Sequence, residues 1–347
     1  MSLGILGYGV YVPRYRVTVN EIARVWHEDG ESIAKGINVI EKAVPDLDED
    51  TATISVTAVQ NALRHSGISP ERIGAIYVGS ESHPYAVKPT AVTVAEAIGA
   101  TPNLTAADLE FACKAGTAGM QMVFGLVGAG EIDVGIAVGT DCAQGRPGDA
   151  LEYTAGAGGA AFVIGKDKPL AVLEGMYSYT TDTPDFWRRE GARYPSHAGR
   201  FTGAPSYFRH TLSATKGLLD KLNLTLDDFD RVSFHQPNGR FPLNAAKTLG
   251  IPKEKIIDSL CVTRIGNTYS ASSMMGFARQ LDLAKPGERI LLVSYGSGAG
   301  SDAFSFKVTD EILNKRERSV PVDYYMDKRV ELDYALYAKH RGKIIMK

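Results

Sequence analysis

The chain repeats itself once at long range, and that repeat limits what it can fold into. Leu3-Gly-Ile-Leu-Gly-Tyr-Gly-Val-Tyr-Val12 and Leu170-Ala-Val-Leu-Glu-Gly-Met-Tyr-Ser-Tyr179 both read as opening strands. Gly67–Val78 and Asn223–Phe234 each read as a helix end, a short connector and a buried strand. The next helices end at Ala97-Ile-Gly99 and Thr248-Leu-Gly250. Asp133–Val138 then answers Arg289–Ser294, and Ala160–Ile164 answers Asp302–Phe306. The period is far too long for a solenoid. Strands alternating with helical stretches predict βα units and largely parallel, buried sheets. The chain is therefore expected to be a duplicated α/β fold, with halves 1–166 and 167–347 and an extension from about residue 311. Ligands of α/β sheets bind beyond the carboxyl ends of the strands. A pseudo-twofold between the halves would bring both sets of strand-end loops to one cleft.

Four residues stand where such a cleft would be. Cys113, in Glu110-Phe-Ala-Cys113-Lys-Ala-Gly116, precedes a small-residue apolar run that reads as a helix. A thiol at a helix start feels the helix dipole and free N–H groups, which favour the nucleophilic thiolate; the alternative is an inert buried cysteine. His235, in Ser-Phe-His235-Gln-Pro-Asn-Gly-Arg240, ends a strand before a Pro/Gly loop. It suits a proton donor to a carbonyl oxygen, or a satisfied structural histidine. Glu81, in Gly-Ser-Glu81-Ser-His83-Pro, follows a buried strand. It is a solvated loop carboxylate or, beside an apolar cleft, a general acid/base of raised pKa; His83 reads as its local support. Asn267, in Arg264-Ile-Gly-Asn267-Thr-Tyr-Ser, occupies the place in the second half that Cys113 holds in the first, as a turn residue or an oxyanion partner.

Composition removes other classes. Over 347 residues the formal charge is −2, which argues against nucleic-acid binding. Three cysteines, Cys113, Cys142 and Cys261, make no disulfide framework and suggest a reducing compartment, the cytoplasm by default. No apolar stretch reaches about 18 residues, so no membrane span is expected. Gly156-Ala-Gly-Gly159 and Gly296–Gly300 lack the Gly-Lys-Ser/Thr of a phosphate loop and read as tight turns. No ligand spacing for zinc is present, and no metal or cofactor is expected. Residues 14–50 and 177–209 read as insertions that cap or bind. The tail carries Tyr324, Tyr325, Tyr334 and Tyr337 among alternating charges. It suits an interface, or a helical extension packed on its own domain.

On these motifs the chain resembles the thiolase superfamily of condensing enzymes over residues 1 to about 310. Ser-Glu81-Ser, Glu-Phe-Ala-Cys113-Lys-Ala-Gly, Gly-Arg200-Phe-Thr-Gly, His235-Gln-Pro-Asn-Gly-Arg240 and Gly-Asn267-Thr-Tyr-Ser are similar to 3-hydroxy-3-methylglutaryl-CoA synthases of the short archaeal type. The resemblance implies a thiolase-like, layered α-β-α-β-α fold. It implies acetyl transfer from acetyl-CoA to Cys113, enolisation by Glu81, and attack on acetoacetyl-CoA with its ketone polarised by His235. Hydrolysis then releases the product, and the CoA thioesters are substrates rather than cofactors. Carried over residue by residue, Asp29, Gly30, Thr154, Thr202, Asn267 and Ser297 would contact the acyl group, and Arg200 and Arg240 would contact CoA. Arg240 replaces the Lys of other branches. The resemblance also implies a homodimer, and a larger complex with an acetoacetyl-CoA thiolase and a small zinc-binding scaffold protein. Thiolases themselves use a second cysteine, where this chain has Ser294-Tyr-Gly-Ser-Gly-Ala-Gly300. Ketoacyl-carrier-protein synthase III enzymes share Cys, His and Asn but not the glutamate, and are the runner-up. A non-catalytic assembly subunit of the same fold is the remaining alternative.

Overall fold

A computed structural model describes residues 2–199, 201–298 and 300–344. Its centre is one nine-stranded sheet. In chain order the strands are Gly4–Tyr11 (β1), Ile73–Gly79 (β2), Thr105–Leu109 (β3), Val134–Cys142 (β4), Ala157–Gly165 (β5), Ala171–Thr180 (β6), Arg231–Phe234 (β7), Arg289–Val293 (β8) and Gly300–Val308 (β9). Across the sheet they run β7-β8-β9-β6-β1-β5-β4-β2-β3. Read outward from the β1–β6 contact, the same walk occurs on both sides, each reaching a strand that ends at a site residue.

The sheet is mixed, which corrects the expectation of largely parallel pairing. Only β7–β8, β2–β3 and β2–β4 are parallel; the five central pairings are antiparallel. The connections explain this. Parallel neighbours need a crossover, and helices intervene between β2, β3 and β4 and between β7 and β8. Strands β8 and β9 instead join through a tight turn in which Gly298 has φ +83°, a left-handed conformation that glycine adopts at no steric cost.

Six helices complete the layers: Thr51–Ser66 (α1), Thr90–Ala97 (α2), Ala115–Ala129 (α3), Phe208–Leu222 (α4), Arg240–Leu249 (α5) and Ser272–Leu283 (α6). Helix α1 shows how locally they are specified. The Asp50 carboxylate accepts from Thr53 N–H at 2.8 Å, and Thr53 Oγ1 accepts from Asp50 N–H at 2.8 Å. This capping box opens the helix, and Gly67 at φ +73° closes it. Alternate strand residues then choose different helices. Ile136 and Val138 pack on α1 and α2, while Leu291 and Val293 pack on α4 and α5. Between the two halves of the sheet lie α3 and α6, with Phe124, Phe162, Phe277, Phe304 and Phe306 in one core. Phe277 stacks on Phe306 at 4.8 Å and on Phe162 at 5.3 Å. Burying each such ring is worth about 1.5–3 kcal/mol. The resulting order is helix, sheet, helix, sheet, helix. Among the described residues no helix is long and apolar enough to cross a membrane.

The described part of the tail packs on its own chain, while Tyr324, Val330 and Leu336 stay exposed. Val330–Glu331 adds a parallel strand to Tyr15–Thr18, which pairs with Glu41–Val44. Tyr337 is buried beside Lys42, whose Nζ donates to its hydroxyl at 3.1 Å. Tyr334 donates to Glu152 Oε1 at 3.0 Å. Of the four tail tyrosines, only Tyr324 is a large exposed side chain, at 48%. The tail is packed on its own chain because its apolar faces find the 14–50 insertion, and the tyrosine pattern therefore no longer argues for an interface.

Candidate active site

Cys113 and Glu81 meet directly. Cys113 lies between β3 and α3, only 4% exposed, and its Sγ donates to Glu81 Oε1 at 3.1 Å. Ala112, just before it, has φ +44°, a strained value for a residue with a Cβ. The turn is held from several sides. Lys114 Nζ reaches the fully buried Asp302 carboxylate at 2.9 Å. A Cβ added to Gly116 would lie 2.4 Å from Met274 Sδ, and one on Gly139 would lie 2.5 Å from Ser270 O. Only glycine lets the nucleophile helix approach β4 and the Ser270 loop this closely.

The electrostatics differ from the thiolate expectation. Burial, and then the charge and hydrogen bond of Glu81, push the Cys113 thiol well above its ordinary value. The resting group is therefore a neutral thiol donating to Glu81, and the helix-start contribution does not offset desolvation. Burial, followed by the charge of Asp141, lifts Glu81 to about 8. A carboxyl near neutrality is suited to take and return protons at the pH of the cell.

Asp141 was not singled out from sequence, yet it organises this corner. Its Oδ1 accepts from Ser80 Oγ (2.8 Å), Glu81 N–H (2.8 Å) and Ser82 Oγ (2.7 Å), and its Oδ2 accepts from Ser270 N–H (2.8 Å). It thus ties the Glu81 loop to the loop after Asn267. The only sequence signal was an acidic residue closing an apolar run, Gly-Thr-Asp141-Cys. Asp185 plays a matching part in the second half. It accepts from Tyr295 OH at 2.9 Å, from Gly298 N–H at 2.7 Å and from Thr183 Oγ1 at 2.7 Å.

The other predicted residues fall into groups. Asn267 is buried, accepts Tyr269 N–H at 2.9 Å, and donates its own N–H to Thr154 O at 2.7 Å. Residues Ala155 and Tyr269 beside these two pack directly on Cys113. Glu81, Cys113, Thr154 and Asn267 therefore form one connected set. Thr202 and Ser297 belong to the Asp185 framework: Thr202 Oγ1 donates to Asp185 O at 3.4 Å, and Ser297 precedes Gly298. That framework adjoins the thiol through Phe186, packed on the Cys113 cluster, and through Gly296, whose Cβ would lie 2.7 Å from Phe111 O. His235 enters from the end of β7 and is 1% exposed, its ring 6.1 Å from that of Tyr295. Burial drives its pKa down to about 3, so the imidazole is neutral. Among the described residues its Nδ1 has no partner, as expected of a group awaiting a substrate.

The third group stands apart. Asp29 is exposed, and its carboxylate caps the helix Gly30–Ile37, accepting Ser32 N–H at 3.1 Å. Gly30 packs against Asn20, where a Cβ would meet Asn20 Oδ1 at 2.5 Å. Arg240, exposed at the start of α5, donates to Lys35 O at 2.7 Å on that same helix. The observed contacts give Asp29 a capping role and do not bring it to the thiol. Arg200 lies outside the described residues.

A thiol in contact with a carboxyl on one side of a layered sheet, and a buried neutral imidazole at a strand end on the other, match the groups expected of a condensing enzyme of thiolase-like fold. Solved structures share that fold. MvaS in complex with 3-hydroxy-3-methylglutaryl coenzyme A superposes with a TM-score of 0.90 at 24% identity, covering 99% of this chain and 92% of that one. An HMG-CoA synthase complexed with CoA gives 0.88 at 24% identity, covering 98% and 90%. In sequence, residues 1–169 match the hydroxymethylglutaryl-coenzyme A synthase N-terminal family, and residues 219–308 match the 3-oxoacyl-[acyl-carrier-protein] synthase III C-terminal family. The hydroxymethylglutaryl-CoA synthase of Methanocaldococcus jannaschii is 61% identical over 343 residues, 99% of each chain. That of Methanosarcina barkeri is 59% identical over 346 residues, again 99% of each. The chain belongs to the hydroxymethylglutaryl-CoA synthase family. The likeness to synthase III is confined to the C-terminal match, and the readings as a synthase III-like enzyme or a non-catalytic subunit do not hold.

Proposed function

We propose that the chain condenses acetyl-CoA with acetoacetyl-CoA and water, giving 3-hydroxy-3-methylglutaryl-CoA and CoA through an acetyl-Cys113 intermediate. The observation that carries the mechanism is the 3.1 Å contact between Cys113 Sγ and Glu81 Oε1. Glu81 takes the thiol proton as sulfur attacks acetyl-CoA, then returns it to the departing CoA thiolate. Left as a carboxylate, it removes a proton from the acetyl methyl group, whose acidity the thioester raises. The enolate attacks the ketone of acetoacetyl-CoA while neutral His235 hydrogen-bonds to the ketone oxygen, and the alkoxide so formed takes up a proton from solvent to give the 3-hydroxyl. Covalent capture divides one hard reaction into separate steps.

Residues 1–166 supply the thiol and carboxyl, and 167–347 the imidazole and Asn267. Asn267, Thr154, Thr202 and Ser297 stand as acyl contacts; Asp29 and Gly30 are weaker ones. Arg240 and Arg200 remain the CoA contacts, and a cytoplasmic setting suits three unpaired cysteines. The test is CoA release from acetyl-CoA plus acetoacetyl-CoA, with the product identified by mass. Absence of a hydroxymethylglutaryl product would reject the reading. We also propose a homodimer through β3, which lies at the edge of the sheet and offers unpaired backbone groups. The resemblance adds a complex with an acetoacetyl-CoA thiolase and a small zinc-binding scaffold protein. Light scattering on the purified chain, and co-elution with both partners, test these two claims; a monomer rejects the first and separate elution the second.

A further inference from the structure

A cavity of about 230 Å³ lies beside Glu81, lined among others by His83, Asp141, Gln144, Arg188 and Tyr269. Two of these residues present buried polar atoms with no partner among the described residues: His83 Nε2 and Gln144 Oε1. Unpaired buried polar atoms are costly, and native proteins satisfy them with water where the site is polar and roomy. This one is both.

His83 is also held in one orientation. Its side chain is 5% exposed, with Nδ1 2.9 Å from Thr90 Oγ1 and 3.2 Å from Asp108 Oδ2. Asp108 is itself fixed at the start of α2, accepting N–H groups of Thr90 (2.6 Å) and Ala91 (2.8 Å). A carboxylate at Nδ1 assigns the proton to that nitrogen and leaves Nε2 as a lone pair. That lone pair belongs to a residue lining the same cavity as the catalytic carboxyl.

We propose that this cavity holds the water that hydrolyses the acyl-Cys113 thioester, with His83, oriented by Asp108, as the base that receives its proton. The assignment rests on the condensing reaction above and supplies what that reaction leaves open. After enolisation Glu81 carries a proton and cannot also activate water. In the proposed step, water oxygen bonds to the acyl carbon as the carbon–sulfur bond breaks. One water proton passes to His83 Nε2, and the departing Cys113 thiolate takes the proton held by Glu81. The new carboxylic acid releases its remaining proton to solvent, and His83 loses its own there before the next cycle.

The test uses His83→Asn and Asp108→Asn in the full-length chain, rapidly quenched with acid and read by mass on Cys113. With both substrates, His83→Asn should acetylate and condense near the wild-type rate. It should then accumulate the hydroxymethylglutaryl adduct, with turnover down about 10²-fold, the usual effect of removing a general base. Asp108→Asn should show the same adduct with a smaller loss. With acetyl-CoA alone, slow hydrolysis of acetyl-Cys113 should fall in parallel. Wild-type turnover in His83→Asn, or accumulation of the acetyl instead of the condensed adduct, overturns the assignment. No acyl adduct on Cys113 in the wild-type protein would instead overturn the condensing reaction itself.

Discussion

Replacing Glu81 by Gln should stabilise the protein, and by an amount that grows with pH. Gln keeps the size of the side chain and an oxygen to accept from Cys113, but it cannot ionise. In the folded chain Glu81 is lifted from the usual 4.5 to about 8, first by burial and then by the charge of Asp141. A carboxyl whose folded pKa lies above its unfolded value binds more protons folded than unfolded. Its contribution to stability is intact below about 4.5 and is lost as pH rises towards 8. Each pH unit in that window is worth ~1.4 kcal/mol. Wild type should therefore lose about 3 kcal/mol relative to Glu81→Gln between pH 5 and pH 7, with the gap levelling off above pH 8. Chemical denaturation of both proteins at several pH values measures it. A gap that stays constant from pH 5 to pH 8 would refute a carboxyl forced towards neutrality by burial. The same variant should acetylate Cys113 only slowly, because the thiol loses its proton acceptor, and should then stall before carbon–carbon bond formation, with condensation down a further ~10²–10⁴-fold.

Three further outcomes follow from the site. Cys113→Ala should fold normally and form no acetyl-enzyme, as read by radiolabel from acetyl-CoA; a stable acetyl-enzyme in this variant would remove Cys113 as nucleophile. His235→Ala should impair use of acetoacetyl-CoA more than acetylation, measured as the separate rates of acetyl-enzyme formation and its consumption; the reverse pattern would reassign His235 to the first step. Asp141→Asn removes the charge that helps raise Glu81, so the rise of activity with pH should move to lower pH. It should also destabilise the fold by about 1–3 kcal/mol, because an Asn amide cannot accept all four of the donors now on the carboxylate; an unmoved pH profile would rule out the Asp141 charge as a cause.

The sequence by itself located the strands, the main helices and the residues at their ends, because those signals are local. Apolar runs of strand length, small residues at helix starts and Gly or Pro in turns are all read within a dozen positions. The repeat then paired Cys113 with Asn267 and placed Glu81 and His235 after buried strands, where the structure has them. Strand direction was not local in this sense. Whether β5 runs against β4 and β1 depends on whether a connection is a hairpin or a crossover, and the sheet proved mixed. The charge state of Cys113 was decided by burial and by a carboxylate distant in sequence, which together outweigh the helix start. Asp141 and Asp185 look like ordinary acidic residues in the chain; only packing surrounds each with donors from separated loops. The tail tyrosines could be read as an interface or as a packed extension until the fold brought Lys42 and Glu152 to Tyr334 and Tyr337, and His83 read as mere support until Asp108 fixed one of its nitrogens and burial left the other without a partner among the described residues. What the chain could not announce was desolvation and encounter, because both are properties of neighbours that only tertiary structure brings together.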